Sequence, residues 1–445
     1  KKNLVQEIKV AQFSGYVSEH SGYHHGEASL NAAIVGLAQN FVGSNNINLF
    51  QPNGQFGTRL QGGKDSASER YIFTQLSPIT RYIFPQEDDA ILRYLDDDGF
   101  PVEPIYYAPI IPMLLVNGSK GIGTGFSTEV LPYHPIQIIN YIKNKLNEKT
   151  NMDVVFKPYF EGFNGSILKL NETKYLVCGK YQVIGDDKIR VTELPIGCWT
   201  DDFKEHLESL ASNVDKNGKK ITPIIKEIND MSKSINVNIE ITFTRDTLYI
   251  LEQKTVDNGC NNLEKTLKLY TTFSTTNMHM FDSNEKLKKY ANVADIIDDY
   301  YVCRLELYRK RKEYLLDVLQ KQLMICSNKM KYIQEILNET IDLRKKSKDN
   351  ILKMLEDKGY DIIDDDNEYK YLLKMTMDSV SEENVEKIKK DFEDKQNKFT
   401  ELQNITPETM WLNELEILEI EYNKFIINHK KSIENEINTK TKKKK

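Results

Sequence analysis

The sequence predicts a multidomain α+β protein, and three observations predict it. A helical apolar spacing over residues 27–42 is followed at 51–73 by QPNGQFGTRLQGGKDSASERYIF. That stretch is too rich in Gly, Ser, Asn and Gln to form a helix or strand of its own, so it must be a loop laid over a scaffold. Between 159 and 244 short strand patterns alternate with turn residues, most regularly at 235–244. From 285 to 338 a long helical pattern runs without Pro or Gly, and two further helical runs follow at 381–403 and 407–428.

At 445 residues the chain has room for two or three domains with cores of their own. Its 40% hydrophobic and 28% charged residues fit a soluble globular protein. The net charge of −6 excludes a generally basic polymer, so any nucleic-acid contact must come from local patches. The five cysteines are odd in number and lack metal-ligand spacing, which predicts reduced thiols of an intracellular protein. There is no signal-peptide pattern and no apolar run long enough to span a bilayer. The first residue is Lys and informative motifs begin almost at once, so the chain reads as a segment of a longer one.

Taken in order, Leu30, Ile34, Leu37, Ala38 and Phe41 space a helix from Glu27. His24 and His25 then lie near its N-terminus, where the helix dipole favours anions. In the loop, Arg59, Lys64 and Arg70 supply three cations, and Gly54, Gly57, Gly62 and Gly63 let the backbone approach a ligand. Cations with exposed N–H groups suit phosphate. A second helix is expected from near Ser68. It would carry Tyr71, bury Ile72, Leu76 and Ile79, and end or kink at Pro78. A tyrosine beside an arginine here is a candidate nucleophile toward a phosphodiester; the ordinary alternative is that Tyr71 packs on the core.

After an apolar, proline-marked run at 106–115 comes NGSKGIGTGFS at 117–127. A dinucleotide site is excluded, because the spacing is GxGxG rather than GxGxxG and Pro132 and Pro135 break the helix that should follow. Strands are expected at 162–167, 175–183, 188–195 and 235–244, and helices at 201–211 and 264–270. Thr406 caps the last helical run, with Pro407 at its first position. The acidic triplets at 96–98 and 364–366 read as solvated loops, and the lysine tail at 440 and 442–445 as a solvated charge run.

Several motifs follow one another in a single order: YHHGE (23–27), QNFVGSNN (39–46), QFGTR (55–59), GGKDSAS (62–68), RYIF (70–73), PIIP (109–112) and NG…GIGTG (117–125). Together they resemble the breakage-reunion region of type IIA DNA topoisomerases, in the eukaryotic branch or its relatives in large DNA viruses. The similarity is dense over 10–132 and thinner but colinear at 290–316 and around Met410 and Trp411.

The resemblance implies a winged-helix domain with the catalytic tyrosine (1–105) and an α+β tower domain (106–284) that opens on the GIGTG turn. A coiled-coil arm follows (285–428), with a small helical exit-gate knob at about 339–380, and then a basic tail (429–445). Periodicity alone serves an ordinary helical bundle equally well.

By the same resemblance, Tyr71 attacks a DNA phosphate to form a 5′-phosphotyrosyl link. Arg70 stabilises the phosphoryl charge, and His25 hydrogen-bonds a phosphate oxygen or accepts a proton. His24, Arg59 and Lys64 hold phosphates, and Ile122 wedges into the duplex. Mg²⁺ would sit on a Toprim domain and ATP on an ATPase domain, and no motif for either occurs in this chain. Double-stranded DNA and a second copy of the chain are the implied partners, with no membrane. The implied location is the nucleus for a cellular protein, or host cytoplasm or virion for a viral one. Two other readings are a DNA-binding and dimerisation module without cleavage, and a metal-independent tyrosine recombinase-like enzyme linking DNA through a 3′-phosphate.

Overall fold

The structure, a computed structural model, describes residues 4–149, 154–214, 220, 222–344, 346–364, 366–376 and 380–442, with side chains as far as 434 in the last stretch. It is mixed α and β. Chain contacts divide it into two compact units. The first is Lys1–Gln86 with Leu92–Arg304 and Glu414–Lys445; the second is Glu87–Ile91 with Leu305–Asn413.

In the first unit the strand Ile8–Lys9 pairs antiparallel with Phe73–Thr74. The helices Val10–Ser21 and Glu27–Ala38 follow it. Val10, Ile34, Ala38, Phe56 and Ile72 form one core, so the Gly-rich loop contributes an apolar plug at each end. The helix expected over 27–42 stops at Ala38. There Asn45 Nδ2 donates to the carbonyls of Gly36 (2.7 Å) and Gln39 (2.8 Å) and takes up acceptors that a helix end leaves unpaired.

The helix expected from Ser68 is absent. Residues 68–71 turn, with Tyr71 N donating to Ser68 O at 2.9 Å, and lead into the strand Phe73–Thr74. The burial pattern explains why. Ile72 and Thr74 point inward while Tyr71 is exposed, which is a period of two rather than 3.6. A short helix, Thr80–Ile83, forms only after Pro78.

A four-stranded antiparallel sheet runs in the order Ile225–Asp230, Ile239–Phe243, Lys188–Glu193, Lys180–Gly185. Its core includes Ile189, Val191, Ile239 and Ile241, together with Phe203 and Leu207 from the helix Thr200–Ala211. Ser166–Asn171, Lys174–Cys178 and Tyr270–Ser274 make a three-stranded sheet. The helix expected over 264–270 is Asn262–Thr266, started by a capping box between Asn261 and Glu264. The long helix expected from 285 starts at Val293, because Leu287–Lys289 pairs with His279–Phe281 and Asn292 Oδ1 then accepts from Asp295 N at 2.9 Å. The triplet at 96–98 is a hairpin rather than a loop. Tyr94–Asp97 pairs with Phe100–Pro104, and all three carboxylates are exposed.

In the second unit the long helix faces Glu382–Asn404. Lys312 Nζ donates to Gln403 O and Ile405 O (3.0 and 2.7 Å), and Cys326 Sγ lies 3.6 Å from Asp391 Oδ2. The partners run in opposite order along the two helices, so the pair is antiparallel. Trp411 is buried and stacks on Tyr308, and Arg311 lies over that ring and pairs with buried Asp88 at 3.3 Å.

The excursion between the helices holds Lys348–Asp357 and Lys370–Leu373. Its apolar residues are largely used inside it. Leu355, Tyr369 and Leu372 share a core with Tyr332, Ile341 and Tyr360. Ile362 is the large apolar side chain of this excursion that stays exposed, at 52%, among the described residues; Met377 lies outside them.

One buried ion pair ties the loop to the sheet. Arg59 Nη2 donates to Glu193 Oε1, with side chains 7% and 1% exposed. Glu193 Oε1 also accepts from Leu194 N (2.9 Å), and Oε2 from Asn164 N (3.2 Å). Arg59 and Leu60 carbonyls accept from Thr200 N (3.3 Å) and Asp201 N (3.0 Å) at the start of the helix Thr200–Ala211. Gly62, at φ +62°, lies flat against Trp199, where a Cβ would meet the indole at 2.3 Å. Removing one partner of such a pair strands a buried charge. Arg59→Ala should therefore destabilise the first unit by about 3–5 kcal/mol in urea denaturation. A loss below about 1 kcal/mol, the range of an exposed pair, would contradict this anchoring role.

Candidate nucleic-acid interface

The loop is cross-braced by hydrogen bonds from its own side chains and from Gln39. Asp65 accepts from Thr58 N (2.8 Å) and Thr58 Oγ1 (2.6 Å), and Gln39 Nε2 donates to Phe56 O at 2.9 Å. Gly57 sits at φ +97°, where a Cβ would lie 2.5 Å from Gly63, so the two strands of the loop meet backbone to backbone. Ala67 N→Gln55 O (2.9 Å), Phe73 N→Asn53 O (3.0 Å) and Ala11 N→Glu69 O (3.2 Å) close it against the first helix.

On this base Tyr71 stands out at 74% exposure, immediately before Ile72, which is fully buried. The ordinary alternative of a core tyrosine is excluded. Arg70 and Lys64 are exposed on the same loop, and neither side chain makes a hydrogen bond or ion pair among the described residues. His24 and His25 are exposed just before the helix Glu27–Ala38, and His25 meets the edge of Tyr23 at 5.4 Å. Arg59 is the exception among the expected phosphate contacts. Its guanidinium points inward and is committed to Glu193, so it belongs to the scaffold.

Glu193 carries a sequence signal of its own. Along Lys188–Glu193 alternate residues are buried, so Ile189, Val191 and Glu193 share the inner face. An inward carboxylate on such a strand requires a buried cation.

Ile122 lies on a separate hairpin, Ser119–Gly123 paired with Phe126–Val130, and is 93% exposed. A core role in the Gly-rich turn is therefore excluded. An exposed isoleucine at the end of a two-stranded hairpin is an apolar probe rather than a packing residue.

A cleft of about 890 Å³ lies on the inner side of the loop, lined by Gln51, Gln55, Glu161, Phe425 and His429 among others. Its charge does not suit DNA. Burial pushes the His429 imidazole below its usual range, favouring the neutral form, and Lys424 is engaged by Glu421 at 2.7 Å. The unpaired cations Arg70 and Lys64 lie on the loop, outside this lining. Among the described residues no three His, Cys, Asp or Glu side chains converge as metal ligands, and no helix is long and apolar enough to cross a membrane.

Comparison with known proteins agrees with this geometry. The family model for the A-subunit of DNA gyrase/topoisomerase IV matches residues 1–416. The chain is 38% identical over 464 residues to DNA topoisomerase 2 of Arabidopsis thaliana, covering 95% of this chain and 30% of that protein. It is 37% identical over 478 residues to DNA topoisomerase 2 of Acanthamoeba polyphaga mimivirus, covering 93% and 37%. It thus spans about a third of the length of these relatives. The crystal structure of the Plasmodium falciparum topoisomerase II DNA-binding, cleavage and re-ligation domain superposes with a TM-score of 0.87 at 39% identity, covering 97% of this chain and 60% of that one. With its ordered motifs, its fold and these likenesses, the chain belongs to the DNA gyrase/topoisomerase IV A-subunit family.

Proposed function

We propose that this chain is the DNA-gate and exit-gate part of a type II DNA topoisomerase, with Tyr71 as its nucleophile. The observation that carries the proposal is the exposed Tyr71 beside an unpaired Arg70, on a loop braced by Asp65 against Thr58 and by Arg59 against Glu193. Tyr71 Oη attacks a backbone phosphorus. The new O–P bond forms as the bond to the 3′-oxygen breaks, leaving a 5′-phosphotyrosyl link and a 3′-hydroxyl. Attack by that hydroxyl reverses the step and reseals the strand. Arg70 offers its planar fork to the equatorial oxygens of the pentacoordinate phosphorus, where charge develops. His25 is in the role of proton acceptor, and His24 and Lys64 hold neighbouring phosphates. Ile122 wedges between base steps and bends the duplex.

In the whole enzyme Mg²⁺, on ligands from a Toprim domain, would neutralise phosphate charge, and ATP would act through an ATPase domain. The N-terminal helices and loop fit a winged-helix domain, the two larger sheets a tower domain, and the antiparallel helices a coiled-coil arm ending in a knob. A second copy of the chain supplies the second tyrosine, so that both strands are cut and another duplex passes.

In the full-length enzyme, Tyr71→Phe should abolish the denaturant-resistant DNA adduct while changing affinity less than about threefold, because phosphate contacts dominate binding. Arg70→Lys keeps the charge but loses the fork, and should slow cleavage by roughly 10²–10³. An adduct with the Phe variant, or a wild-type rate with the Lys variant, would remove the respective role.

Dimerisation through the knob rests on Ile362, because Leu372 is consumed in the knob's own core. Ile362→Glu should shift the chain toward monomer in sedimentation at micromolar concentration with helix content unchanged. If the wild-type chain is itself monomeric there, the exit-gate role is wrong.

A further inference from the structure

The Ile122 hairpin is a two-stranded sheet, and such a ribbon is marginal by itself. A side chain that is to push into stacked bases needs bracing. A second hairpin, His279–Phe281 with Leu287–Lys289, lies against the first, so that each ribbon gains the packing it lacks alone. The two are joined in three ways. The Phe281 ring meets Phe126 edge to face, with centroids 5.7 Å apart. Asn277 Nδ2 donates to Ser127 Oγ at 2.7 Å, and His279 Nδ1 lies 2.9 Å from Asn277 Oδ1. Glu129 N donates to Asn277 O at 2.8 Å.

Phe126 is the residue across from Gly123, next to Ile122, and a Cβ on Gly123 would lie 2.4 Å from its ring. The aromatic ring therefore fills the place of a side chain directly behind the probe. Phe281 is 59% exposed, and its ring meets Phe126 edge to face.

We infer that Phe281 is a positioning residue for DNA bending, which holds Phe126 and through it sets the direction in which Ile122 enters the duplex. The inference rests on the wedge reading of Ile122. It makes Leu287, the cross-strand neighbour of Phe281, part of the same exposed apolar face. A wedge aimed by packing rather than by hydrogen bonds to DNA acts on shape, so its loss alters bending more than binding.

The test is fluorescence transfer across a doubly labelled duplex saturated with full-length enzyme, alongside titrated affinity and cleavage rate. Ile122→Ala and Phe281→Ala should each reduce the bend and slow cleavage several-fold, with dissociation constants within about threefold of wild type because phosphates dominate affinity. The double variant should bend no less than Ile122→Ala alone, since coupled residues are not additive. Phe281→Tyr, which keeps the ring edge, should restore the bend, and Asn277→Ala should weaken it by cutting the polar tie. If Ile122→Ala straightens the DNA and Phe281→Ala does not, the positioning role is wrong and the wedge stands. If Ile122→Ala bends DNA like wild type, the wedge itself is wrong. If Phe281→Ala lowers affinity in step with bending, the hairpin is a DNA-binding surface and not a support.

Discussion

A buried guanidinium–carboxylate pair, Arg59 with Glu193, is the constraint on which the candidate active loop depends. Both groups are out of water, so the net stabilisation from their attraction is small; what they supply is a unique position. Arg59 is satisfied at the inner face of the strand Lys188–Glu193. Once it is there, the carbonyls of Arg59 and Leu60 meet the first turn of the helix Thr200–Ala211, and Gly62 meets Trp199. Phe56 and Ile72 then plug the core formed with Val10 and Ile34. A chain segment with little secondary structure is held at its two apolar ends and at one ionic point between them.

This separates two uses of cations. Arg59 is neutralised and structural. Arg70, next to Tyr71 in the chain, and Lys64 are exposed and make no hydrogen bond or ion pair among the described residues. The division suits a chain whose overall charge is −6. On the proposed function, DNA affinity would rest on a few placed cations rather than on the charge of the chain as a whole.

The helical and strand periods, the long helices and the order of the motifs are legible in the sequence, because each is a local pattern repeated over many residues. The sequence leaves a core position open for Tyr71, since its neighbours Ile72, Leu76 and Ile79 share a helical spacing; the Gly-rich turn around Ile122 offers less room for a core. The local structure around Tyr71 is not legible. Ile72, Leu76 and Ile79 fit a helical stripe by spacing, yet pairing of Phe73–Thr74 with Ile8–Lys9, far away in sequence, overrides it. The inward commitment of Arg59 is hidden for a related reason: nothing near it in the chain shows that Glu193 awaits it 134 residues later. The knob's internal core is hidden because an amphipathic pattern does not say whether its apolar side meets a neighbour in the same chain or in another. Phe281 carries no local signal, because its importance lies in a contact with Phe126.

The central claim is that one tyrosine out of the 24 in this chain is presented for attack on DNA. The most direct measurement is to trap the full-length enzyme on cleaved DNA with denaturant, trim the DNA with nuclease and locate the residual nucleotide by peptide mass spectrometry. The account predicts a nucleotide joined through its 5′-phosphate to the peptide containing Tyr71. A nucleotide on any other tyrosine, or one joined through its 3′-phosphate, would contradict it.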